Sequence, residues 1–115
     1  MVAEQNMASE IRKKMGPLRK RLVDNIEKTT KIIEEPETTR ISEIKDKIKR
    51  LEHAQSRVNT FYAQFKTLNE KLFKIAQEVE EEKVKVAEES ESVDEIMYNA
   101  DEAIAEGSIA METLK

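Results

Sequence analysis

Apolar residues recur with a period of seven along most of this chain. From Ile44, every seventh position is apolar: Leu51, Val58, Phe65, Leu72, Val79, Val86, Val93 and Ala100 follow, although 38% of the 115 residues are charged. Such a repeat predicts a long helix with a seam facing another helix. Beside the seam run Ile41, Ile48 and Tyr62, and then Phe61, Leu68 and Ile75. From Val58 to Val79 the apolar steps alternate between three and four, which makes this the widest apolar face and the expected centre of the core. Residues 41–86 hold neither Gly nor Pro, so the pattern predicts one long helix over about 39–88.

The flanking segments predict two more helices. Residues 1–9 lack periodicity and read as a flexible tail, leaving 10–115 as a single helical domain. Ser9 caps at most a short helix with Ile11 and Met15, because Gly16 and Pro17 interrupt it. Pro suits the first helical position, so the first main helix is expected over about 17–34, with a stripe of Leu18, Leu22, Ile26 and Ile33. Pro36 ends it, Thr38 or Thr39 caps the next helix, and the short connection predicts antiparallel packing with Leu18 near residues 57–61. Past Val79, two signals compete. The unbroken seam through Val93 and Ala100 favours a continuous rod. The sparse apolar content of residues 88–92, and a capping box at Ser92 and Glu95 before Ile96, favour a turn. The turn is the expectation adopted, with a third helix over about 93–113, weakened by Gly107. The fold class expected is all-α: an elongated antiparallel hairpin or bundle of two or three helices, coiled-coil-like, on one long central helix.

Composition narrows the function classes. There is no Cys, which excludes disulfides and thiolate metal sites, and no apolar run long enough to span a membrane. No basic segment followed by an apolar one opens the chain, so the reading is intracellular, cytoplasmic or nuclear. The net charge of −4 conceals a division. Residues 1–57 carry 14 basic and 10 acidic side chains, whereas residues 58–115 carry 6 and 14. Arg12, Lys13, Lys14, Arg19, Lys20 and Arg21 form a basic cluster, and residues 78–95 hold nine acids against Lys83 and Lys85.

Candidate chemistry is thin. His53 is the only histidine, and its neighbours read as an exposed helix face. The carboxylates of residues 78–95 lack the central Gly of a calcium loop, and Gly16 and Gly107 stand too far apart for a phosphate-binding loop. Phe61, Tyr62 and Phe65 sit at helical spacing inside the seam and read as core rather than as a stacking platform. Four readings of the basic cluster stay open: a solvated end, pairing with the acidic block of a second copy, contact with nucleic acid, or attraction to an anionic membrane. No catalytic residue, cofactor or metal site is expected, and an enzyme is the least favoured class.

The order of segments resembles a known family. A basic helix, IRKKMGPLRKRLVDNIEKTTKIIEEP, precedes a long Glu/Lys helix opening ISEIKDKIKRLEHAQSRVNTFYAQF, and then comes acidic EESESVDEI. This looks like the N-terminal helical region of Gag-type polyproteins of BEL/Pao LTR retrotransposons. The resemblance implies an assembly segment without catalytic residues. The function expected is therefore a non-enzymatic self-association scaffold, a homo-oligomer, with a dimer as the expected state. Its contact seam would be Ile44, Leu51, Val58, Phe61, Phe65, Leu68, Leu72, Ile75, Val79 and Val86. The alternative is a heteromeric adaptor whose seam binds a partner protein's helix, with the basic segment touching nucleic acid or membrane.

Overall fold

The computed structural model describes residues 2–114 as three helices: α1 (Val2–Ile33), α2 (Ile41–Glu78) and α3 (Glu80–Leu114). Among the described residues there is no strand. The body measures 61 × 20 × 16 Å. Helices of 32, 38 and 35 residues are each roughly 48–57 Å long at about 1.5 Å per residue, so all three must lie along the long axis. Each touches the other two. One core runs between them, built from Ala8, Ile11, Met15 and Leu22 of α1, Val58, Phe65, Leu72 and Ile75 of α2, Val79 of the link, and Ile96 and Ala100 of α3. Leu22, Leu51, Val58 and Phe65 are essentially sealed from solvent.

α1 is longer than the sequence predicts. It starts at Val2 rather than near Pro17, and it takes in the segment read as a tail, of which Met1 lies outside the described residues. Pro17 stands inside the helix, where it removes one backbone bond and costs about 3 kcal/mol. Burial of Ile11 and Met15, each contributing about 1.5–3 kcal/mol, offsets that cost. Gly16 helps locally, since it carries no Cβ to crowd the proline ring and faces open space.

The turn after α2 also differs. It falls at Val79, and Ser90 and Ser92 lie inside α3. Val79 alone leaves the helical conformation (φ −120°, ψ 111°), its N–H bonding to the Ile75 carbonyl while its own carbonyl accepts from Glu82 and Lys83. Two features select this place. A β-branched residue tolerates the extended conformation, and Glu80, Glu81 and Glu82 occupy the first turn of α3, where carboxylates favour the positive end of the helix dipole. Ser92 therefore caps nothing, and its hydroxyl accepts a hydrogen bond from Arg19 at 2.6 Å.

Between α1 and α2 the connection spans residues 34–40. Arg40 occupies the cap position of α2 without a side-chain cap of its own. Thr38 steadies the entry, accepting from the Arg40 N–H at 3.2 Å and donating to Glu43. Lys47 Nζ reaches the Glu35 carbonyl, and Arg50 grips the Glu35 carboxylate with two nitrogens. These contacts set the register: Leu18 lies beside residues 63–68, about two turns beyond the expected 57–61.

Candidate interaction surface

The seven-spaced seam of α2 faces inward. Leu51, Val58, Phe65, Leu72, Ile75 and Val79 are buried, while Ile44, Phe61, Leu68 and Val86 are half-buried. The seam offered by the sequence as a contact for another chain is thus largely covered by α1 and α3 of the same chain. Tyr62 is half-buried at its edge and donates to Asp101 of α3 at 3.2 Å. Burial first, and then the Asp101 carboxylate, push its phenol up from the ordinary value.

Helix geometry divides the six basic residues of α1. Arg12 and Arg19 turn to α3: Arg12 lies 2.5 Å from the buried Glu82 carboxylate, with its Nε 3.5 Å from Glu89, and Arg19 reaches Ser92. Lys14 and Arg21 line a groove against α2, the Arg21 guanidinium lying 6.0 Å from the centre of the Phe61 ring. Lys13 and Lys20 are exposed, Lys13 lying 3.4 Å from Glu10. The three pairs share a spacing of seven, so each occupies its own face. A single basic patch does not form, and part of the acidic block is partnered within the chain.

Two grooves run between α1 and α2, lined by those helices alone. One, of about 550 Å³, has an apolar floor of Pro17, Leu18, Ala63 and Leu68. The other, of about 420 Å³, is bounded by Asn25, Ile32 and Ala54 with Lys28, Lys31, Lys49 and Arg57 around it. His53 belongs to this second groove and is exposed. No acidic residue lines either groove. Lys28, Lys49 and Arg57 were not singled out from the sequence, although Lys14, Arg21 and Lys28 repeat every seven residues and so share one face of α1.

Buried polar groups fix the structure beside the second groove. The Gln55 amide of α2 donates to the Ile104 carbonyl at 2.5 Å and to Ser108 at 3.2 Å. Gly107 lies directly opposite; a Cβ there would come within 2.5 Å of Gln55 Nε2. Within α1, Asn25 donates to the Arg21 carbonyl and Thr29 to the Asn25 carbonyl, leaving Asn25 Oδ1 buried without a partner. Among the described residues, no group of three or more His, Asp or Glu side chains is placed to hold a metal ion, and no helix is long and apolar enough to cross a membrane. The chain matches no family model, and no curated protein or solved structure proves similar to it.

Proposed function

We propose that this chain is a non-enzymatic, self-associating scaffold folded as an antiparallel three-helix bundle of coiled-coil type. The antiparallel reading draws on ordered contacts. Glu35 meets Arg50 and Arg21 meets Phe61, so numbers fall along α1 as they rise along α2. Gln55 meets Ile104 and Tyr62 meets Asp101, which gives α2 and α3 the same relation. Arg12 with Glu82 and Arg19 with Ser92 then leave α1 and α3 pointing the same way.

One observation carries the functional reading. The seam is spent on the bundle's own core, and the α1/α2 side retains two grooves with apolar side chains at their floors. Two helices lying side by side leave such a groove for a third to fill. The resemblance to Gag-type assembly segments points to the same role. Light scattering across a concentration series tests it: the mass is expected to rise above the 13.3 kDa of one chain, and a constant 13.3 kDa overturns it. A heteromeric adaptor is the second reading, favoured by the same grooves, which accept a helix from another protein equally well. In that case the isolated chain stays monomeric and gains thermal stability only with its partner.

A further inference from the structure

We propose that copies of this chain associate head to tail, the outward face of α3 on one copy lying in the α1/α2 groove of the next. The inference rests on the scaffold reading above and supplies its contact. α3 carries three large apolar side chains in open solvent: Val84 is 55% exposed, Tyr98 62% and Ile109 66%. They follow one another at about four and about three helical turns, so they share one face. Ile96, Ala100, Ala103 and Gly107, which are buried, mark the opposite face. Between the three lie Glu88, Glu91, Glu95 and Glu102, all exposed. The outward face of α3 is therefore a stripe of carboxylates with three apolar side chains set along it, about 21 Å and about 16 Å apart.

The α1/α2 groove is its complement. It comprises the two hollows described above, Pro17, Leu18, Ala63 and Leu68 flooring one and Ile32 and Ala54 the other, with Lys14, Arg21, Lys28, Lys49 and Arg57 around them and no acid. A phosphate backbone would engage the basic rim alone, whereas a helix with acidic and apolar side chains engages the rim and also covers the apolar floor. Charge complementarity would guide and orient the encounter. No α3 residue lines the groove, so stripe and groove occupy different sides of the bundle and one molecule can use both at once. Such a contact is heterologous: it extends into chains or closes into rings rather than stopping at a symmetric dimer.

The experiment uses two double variants at exposed positions, Tyr98→Lys/Ile109→Lys on the stripe and Lys28→Glu/Arg57→Glu on the groove. Lys14→Glu/Lys28→Glu serves if Arg57 proves necessary for folding, which circular dichroism decides. In light scattering the wild type is expected to grow past a dimer with concentration and to shrink as salt shortens the Debye length. Each variant alone is expected to associate at least tenfold more weakly. An equimolar mixture of the two should form a capped pair of about twice the 13.3 kDa chain mass, because one supplies a groove and the other a stripe. Wild-type association that neither variant weakens, or a mixture that stays monomeric, overturns this contact while leaving the scaffold reading in place. A wild type fixed at one chain's mass overturns both. A monomeric wild type that binds a uridine oligonucleotide, with binding lost in the groove variant, assigns the groove to nucleic acid instead.

Discussion

At the scale of single residues, the structure reverses the usual meaning of a helical glycine. Gly107 weakens α3 by about 1 kcal/mol relative to Ala, yet it is buried against Gln55, whose amide holds α2 to α3. Gly107→Ala is expected to lower the melting temperature, because the new methyl displaces the amide and leaves buried polar groups without partners. In a Gln55→Ala background the same change should raise it, and a double-mutant cycle by thermal denaturation reads the change of sign. Phe65, 1% exposed, is the largest sealed side chain; Phe65→Ala should cost about 3–5 kcal/mol in urea unfolding, and Leu72→Asp should unfold the chain outright. Glu35 gives a dependence on acidity. The hydrogen bond from Arg50 holds the carboxyl below its ordinary value of 4.5; burial, the next largest effect, opposes it, and the charges of Arg50 and Lys47 add to the lowering. A depressed folded value stabilises above the unfolded one, and that stability is lost as pH falls through the folded value. Below about pH 4.5 the wild type should therefore lose stability more steeply than Glu35→Gln in acid titration followed by circular dichroism.

At the scale of helices, the seven-spaced repeat made the α2 core legible, because only a helix returns every seventh residue to one face. The ends of the helices were harder to place, since tertiary burial outweighs local signals there. Gly16 and Pro17 look like a boundary, but Ile11 and Met15 gain more from the core than the proline costs. Pro17 is exposed, so Pro17→Ala is expected to raise the melting temperature by relieving a cost of up to about 3 kcal/mol. A fall would mean the ring itself packs favourably beside Leu18. At Val79 the repeat continues across a break, so the seam alone concealed the turn. The readable sign was the run Glu80, Glu81, Glu82, which opens a helix as well as it narrows an apolar face. The basic cluster was visible as composition, but its division among three faces follows only from the position of each residue about the α1 axis.

At the scale of the whole molecule, α1 and α3 answer the apolar demand of α2 within one chain, so any contact with a second copy falls to the grooves and the outward stripe. The two connections between the helices are unlike. Residues 34–40 form a seven-residue strap that turns at Glu34 and Glu35, whereas α2 passes to α3 through Val79 alone. This difference determines where the chain tolerates a change of length. An extra residue between Pro36 and Glu37 leaves the Glu35 and Thr38 contacts on either side in place and costs about a few tenths of a kcal/mol in loop closure. At Val79 there is no slack, and one added residue taken up by α3 turns that helix by about 100°, carrying Ile96 and Ala100 away from the core and breaking the alignment of Gly107 with Gln55. A single glycine inserted between Pro36 and Glu37 should leave the unfolding midpoint nearly unchanged, while the same glycine inserted after Val79 should lower it sharply. Natural variation in length would accordingly be filtered unequally, permitted at the strap and purged at the link.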